Sequence, residues 1–236
     1  MRRLEICVDD ARGLAEAVAG GADRIELCSA LALGGLTPSP GLMRLAAGCG
    51  VPVMSMIRPR AGGFEWSEAD LIVQEAEIAA AREAGLAGVV IGATRGDGLD
   101  LPALRRLMTA AGGMPVTLHR AVDLLGDPVL AVRQAADLGI ARILSSGGAQ
   151  TAPEGMERLA AMMAAAGRVT IMPGGGLTPA TLPGVLALLD PAEVHASGSI
   201  AAPLPAPDLV RLGFAPAAGR RTDRATVARL KALLSG

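Results

Sequence analysis

Two short segments near the amino end repeat the same spacing of a carboxylate and a thiol: Glu5-Ile6-Cys7 and Glu26-Leu27-Cys28. Side chains alternate along an extended strand, so Glu5 and Cys7 share one face, and so do Glu26 and Cys28. If the two strands are parallel neighbours, both carboxylates and both thiols turn toward one interior. A buried carboxylate needs a partner, and two thiolates form a soft donor pair suited to Cu(I). A buried free cysteine is otherwise a small hydrophobe, and the residues alone leave both readings open. The close thiol spacing of four-ligand zinc sites is absent. Cys49 follows a helix without a partner in sequence and reads as structural.

Further chemistry-bearing residues stand where other apolar runs end. The chain has two histidines, His119 and His195, and both close such a run. Each could serve as acid, base or ligand. With Glu5, Glu26 and Asp123 they form the candidate acid–base set. Arg58-Pro59-Arg60 would point two guanidiniums the same way, either to neutralise Glu5 and Glu26 or to grip a carboxylate or phosphate. Arg120, Ser146-Gly147, Gly174-Gly175-Gly176 and Ser197 extend this candidate anion site. Bare amides before a helix start favour phosphate, though a glycine run also makes a plain tight turn. The only lysine, Lys231, lies in the last helical stretch, which argues against a Schiff-base mechanism. The nucleophile elbow and the dinucleotide fingerprint are both missing.

Something must position these groups. The chain of 236 residues is long enough for one large domain. Aromatics make up 1%, so Leu, Val, Ile, Met and Ala must build the core. A net charge of −1 gives no electrostatic case for nucleic acid or an anionic membrane. The stretch from Val169 to Leu189 is uncharged but broken by Pro and Gly, so it is a poor membrane span. Met1-Arg2-Arg3 is followed by acidic residues and not by an apolar run, and three cysteines make no disulfide framework. A cytoplasmic protein with reduced thiols is expected.

One unit recurs: a glycine, an apolar strand, a polar turn, a helix. Strands are predicted near 3–8, 24–28, 52–58, 88–92, 115–119, 141–145, 168–173 and 193–197. Thr37-Pro38, Asp127-Pro128 and Thr178-Pro179 each place a cap before proline, and Ser67 with Asp70 forms a capping box. Gly21, Gly50, Gly85, Gly113, Gly139 and Gly167 mark helix ends. Eight such units in steady rhythm predict a single-domain α/β fold, a (β/α)₈ barrel over 1–236, rather than an open doubly wound sheet. Segment 200–219 is expected to be irregular at the barrel mouth or edge. Residues 222–234 should form a last helix with Val227, Leu230, Leu233 and Leu234 on one face. A barrel of this kind carries its site at the carboxyl ends of the strands, which is where every candidate above falls.

Taken in order, Glu5-Ile-Cys7, Ala22-Asp-Arg-Ile-Glu-Leu-Cys28, Gly34-Gly-Leu-Thr-Pro-Ser39, Ile57-Arg-Pro-Arg60, His119-Arg-Ala121 with Asp123, Met172-Pro-Gly-Gly-Gly176 and Glu193-Val-His195 with Ser197 resemble the CutC copper homeostasis family. The resemblance runs from residue 5 to about 199. It implies a TIM barrel, a cytoplasmic homo-oligomer (dimer or tetramer), and a Cu(I) site at Cys7 and Cys28. The sequence departs from the family at Gly63, where an acidic residue is usual, and at Ser145, where threonine is usual.

Three functions are in competition. The first is copper homeostasis, with Cu(I) held by the two thiolates. The alternative is a TIM-barrel enzyme doing isomerase- or lyase-type acid–base chemistry on a small anionic metabolite, phosphorylated ones included. Its warrant is that a copper carrier has no need of paired arginines, two histidines and a glycine-rich cradle. An inert scaffold ranks last, because converging buried polar groups are costly without a purpose.

Overall fold

The computed structural model describes residues 2–235. Eight parallel strands form one sheet: β1 (Arg3–Val8), β2 (Arg24–Leu27), β3 (Val53–Met56), β4 (Gly88–Ile91), β5 (Val116–Leu118), β6 (Arg142–Ser145), β7 (Thr170–Pro173) and β8 (Glu193–Ala196). Their order is β8-β1-β2-β3-β4-β5-β6-β7, and a parallel bridge between Gly174 and His195 joins the two ends. The sheet therefore closes into a TIM barrel. Each strand falls inside its predicted window, because short apolar runs between turn residues have few alternatives.

Eight helices alternate with the strands: α1 (Ala11–Ala19), α2 (Pro40–Ala47), α3 (Glu68–Glu83), α4 (Leu101–Ala111), α5 (Pro128–Asp137), α6 (Met156–Ala165), α7 (Leu182–Leu189) and α8 (Arg224–Leu234). Asp127 caps α5 through the Leu130 amide, and the Ser67–Asp70 box caps α3 as expected. Two caps differ from expectation. Ser39-Pro40, not Thr37-Pro38, opens α2, because the Thr37 hydroxyl is engaged by Glu77 and the Arg58 amide. Thr178-Pro179 forms a turn closed by Thr181, and α7 starts only after it. Gly85 follows α3 with φ +78°, a left-handed conformation that glycine adopts without strain.

The main core lies between strands and helices, while Cys28, Met54, Met56 and Val90 pack together as a separate group. On α8, Val227, Leu230 and Leu234 are buried, while Leu233 sits partly in solvent. The 200–219 stretch is less irregular than expected. Ser199–Ala201 pairs antiparallel with Arg220–Thr222, and Pro207–Arg211 makes a short helical turn between them. Among the described residues, no helix is long and apolar enough to cross a membrane.

Candidate functional site

The barrel interior is charged near its amino end. Glu5 is 1% exposed and is gripped by Arg24 Nε, with His195 Nδ1 at 2.8 Å from its other oxygen. Arg24 also donates to Glu193, which receives Arg142 Nε at 3.1 Å. Burial alone would raise the pKa of Glu5, but the His195 hydrogen bond and the Arg24 charge hold it down at about 2. Arg24, not Arg58 or Arg60, therefore neutralises Glu5. Alternation could have found it, since Arg24 lies two residues before Glu26 on the same face of β2.

One layer higher, the donor atoms of Cys7, Glu26 and His195 lie within 4.8 Å of one another. The β1–β2 register pairs Cys7 with Glu26. Cys28 is two residues farther along, outside this trio, and its thiol donates to Glu26 Oε2 at 3.6 Å. His195 Nε2 stands 3.7 Å from the same oxygen. Burial, with the charge of Glu5 added, raises the pKa of Glu26 despite His195. Burial would lower that of His195, but the charges of Glu26 and Cys7 and the bond to Glu5 raise it well above 6.5. Burial and the Glu26 charge push the Cys28 thiol well above 9.0. The two carboxylates and two thiols do share one interior, but the thiols are not level.

Above this floor opens a cavity of about 500 Å3, and its lining includes Cys7, Glu26, His195, Arg58, His119 and Arg120. Arg58 is 6% exposed and is fixed by backbone carbonyls: Nη1 donates to Leu33 at 2.9 Å and Gly35 at 3.0 Å, Nη2 to Gly62 at 2.9 Å. The Phe64 ring lies beneath its guanidinium. Arg60 does not join it. Its side chain turns outward to Asp70 at 3.0 Å and stacks over Trp66, because the turn after β3 carries the chain out of the barrel. His119 is buried against Phe64, with Nδ1 accepting the Ala121 amide at 3.1 Å. Burial and the Arg58 charge lower its pKa to about 3.

Asp123 is fully engaged. It accepts from Ser145 Oγ at 2.6 Å, from the Ser146 and Gly148 amides, and from Arg120 Nε at 2.8 Å. It orients Arg120 instead of facing the cavity. Ser146 Oγ is likewise taken up by Asp123, Arg120 and Ala149. Gly147 and Gly174 serve packing: a Cβ would lie 2.1 Å from Gly155 O and 2.5 Å from Leu144 Cδ1. Gly175, Gly176 and Ser197 do line the cavity, joined by Arg220, which sequence reasoning missed in the tail. Arg220 reaches Ser199 and, among the described residues, no carboxylate. Lys231 pairs with Asp23 beside the first residues of β2, at the opposite end of the barrel from the cavity.

The sequence profile of the CutC family matches residues 2–200. The CutC family protein of Sinorhizobium medicae is 55% identical over 233 residues, covering 98% of this chain and 95% of its own. That of Caulobacter vibrioides is 47% identical over 237 residues, covering 98% and 96%. The solved CutC of Streptococcus agalactiae, named for copper homeostasis, superposes with a TM-score of 0.77 at 30% identity, over 84% of this chain and 99% of that one. Phosphoribosylanthranilate isomerase of Thermotoga maritima superposes at 0.61 with 14% identity over the whole of both chains, a likeness of fold alone. With the profile spanning most of its length and close relatives matching almost all of it, the chain belongs to the CutC family.

Proposed function

We propose that the barrel mouth is an enzyme active site that binds a small anionic metabolite and moves protons with Glu26 and His195. The observation that carries this reading is Arg58. It is a buried cation lining the cavity, and among the described residues it has no carboxylate partner. A buried charge without a counterion is costly, and an anionic ligand would supply one. Arg120 and Arg220 add positive charge to the same cavity, and the amides of Gly175 and Gly176 border it. A bound cation needs none of these. Glu26 Oε1 and His119 Nε2, both buried and without a partner among the described residues, add an acceptor and a donor.

The test is calorimetric titration of the protein with inorganic phosphate and with 2-phosphoglycolate. Saturable binding that Arg58→Gln weakens at least tenfold, with the fold retained by circular dichroism, supports the reading. No binding of either ligand at millimolar concentration overturns it.

A second reading keeps the copper role for which the family was named. It rests on the trio of Cys7, Glu26 and His195. The Glu5 contact occupies His195 Nδ1 and leaves Nε2 as the donor toward the trio, an arrangement common behind metal-bound histidines. A thiol and an imidazole suit Cu(I). The ion would be cargo held by Cys7 and His195, while Cys28 keeps its proton and its bond to Glu26. A cytoplasmic, oligomeric protein fits either reading.

A further inference from the structure

Two cationic walls face each other across the cavity. Arg58 stands two residues past the end of β3, and Gly175 two residues past the end of β7. Counted either way round the closed sheet, β3 and β7 are four strands apart, so the two positions lie on opposite sides of the mouth. The Arg58 guanidinium does not cross, since the carbonyls of Leu33, Gly35 and Gly62 hold it on its own side. At the β7 wall the backbone supplies donors. The Gly174 amide donates to Ser145 O and the Thr178 amide to Thr181 Oγ1, but among the described residues the three amides between them, of Gly175, Gly176 and Leu177, have no acceptor. Arg120 lies over this loop. The Cβ that Gly175 lacks would sit 3.2 Å from Arg120 Nη1, the nitrogen of that guanidinium with no acceptor among the described residues. Arg220 comes in from the hairpin that follows β8, the neighbour of β7. Ser199 takes its Nε and Nη2 and leaves Nη1 open. Among the described residues, Glu26 on the floor is the one carboxylate that lines the cavity.

We propose that the ligand of this cavity is a small phosphorylated carboxylic acid bound end to end, its phosphate on the β7 wall and its carboxylate toward Arg58. This rests on the anion-site reading above and names its substrate class. The anion that Arg58 calls for stays in place, and a second stands opposite it. The two walls differ in what they can hold. Three of the five N–H groups of Arg58 already serve carbonyls, so it offers one positive charge and few donors. That matches a carboxylate. The β7 wall offers three amides and two guanidinium nitrogens from separate chain segments, which matches the terminal oxygens and higher charge of a phosphate. One small anion on either wall would leave the other without a counterion. The cavity of about 500 Å3 has room for a whole small metabolite between them. The hairpin holds Arg220 at the phosphate end: Thr222 is buried, and the Asp223 amide donates to Gly198 O at 2.9 Å.

The test is calorimetric titration with two acids of different length, 2-phosphoglycolate and 3-phosphooxypropanoate. Each is set against the alkyl phosphate that lacks its carboxylate, ethyl phosphate or propyl phosphate. Wild type is expected to bind at least one acid about tenfold or more tighter than its alkyl phosphate. Arg58→Gln, with its fold checked by circular dichroism, should close that gap to within about threefold by weakening the acid and not the alkyl phosphate. Arg220→Gln, a change at an exposed residue, should weaken acid and alkyl phosphate by a similar factor of about five to ten and keep the gap open. Equal affinity of wild type for acid and alkyl phosphate overturns the proposal. So does an Arg58→Gln protein that loses both ligands equally, which would mean a single anion site at Arg58, or an Arg220→Gln protein that binds both as wild type does. If Arg58→Gln does not fold, the wild-type gap and Arg220→Gln decide the matter. Each of these overturning results leaves the anion-site reading standing. Failure of every one of these ligands, and of inorganic phosphate, to bind wild type sinks that reading instead.

Discussion

Cys7 faces Glu26 across the β1–β2 ladder, and Cys28 stands two residues beyond that pair, just past the last residue of β2. The offset separates the two thiols by chemistry as well as position. Cys7 has His195 and Glu26 for company, whereas Cys28 is fully buried and spends its proton on Glu26. In an anaerobic Cu(I) competition titration, Cys28→Ser is expected to bind like wild type. Cys7→Ser and His195→Gln should each weaken binding by at least tenfold. Equal losses from both cysteine variants would restore the two-thiol site, and weak binding by wild type would remove copper from this barrel.

Arg24 joins two carboxylates that have little access to solvent, Glu5 and Glu193. Arg24→Met leaves both short of a partner inside the barrel. Breaking a buried ion network from one side costs about 3–5 kcal/mol, whereas replacing both sides with neutral groups costs much less. Urea unfolding should therefore show a large loss for Arg24→Met and a partial recovery when Glu5→Gln is added. Additive losses in the double variant would mean that Glu5 and Arg24 are not coupled.

The folded pKa of His119, about 3, lies below its ordinary value of 6.5. Between these two values the unfolded chain binds a proton that the folded chain refuses. Stability from this residue is therefore complete above pH 6.5 and is lost as pH falls toward 3. The loss is on the order of a few kcal/mol across that window. His119→Gln should flatten the pH dependence of the urea midpoint between pH 6.5 and 4 relative to wild type, with Arg58, the charge beside it, left in place. Parallel curves for the two proteins would show that His119 titrates normally.

The barrel was legible because its signals are local. Gly, cap and apolar run repeat eight times, and each strand has one sensible window. The caps at Thr37 and Thr178 misled because another candidate, Ser39 or Thr181, stood within three residues, and side-chain contacts decided between them. The site was legible only as a set of strand ends. Alternation put Glu5, Cys7, Glu26 and Cys28 inside, but parallel register decides which of them are level, and register is a property of two strands. Arg60 shows the same limit. Arg58-Pro59-Arg60 reads as a pair, yet one guanidinium is sealed by three carbonyls and the other lies on the surface over Trp66. Arg220 enters from the tail hairpin, where no repeat signals its arrival.

Asp123 illustrates how a carboxylate that looks catalytic can be used up in holding a loop. Its two oxygens receive Ser145, the amides of Ser146 and Gly148, and Arg120. Burial would raise its pKa, but those hydrogen bonds keep it below 3.8. It therefore supports the fold at all pH values above the usual carboxylate range, and that support fades as pH falls through its lowered folded value. Asp123→Asn keeps the shape but replaces one acceptor oxygen with a donor aimed at groups that are themselves donors. The expected cost is about 2–4 kcal/mol in urea unfolding. Because Arg120 loses its carboxylate anchor while staying positive, binding of 2-phosphoglycolate should weaken by less than the loss from Arg58→Gln. A variant that folds with wild-type stability yet loses all 2-phosphoglycolate binding would instead make Asp123 part of the anion site.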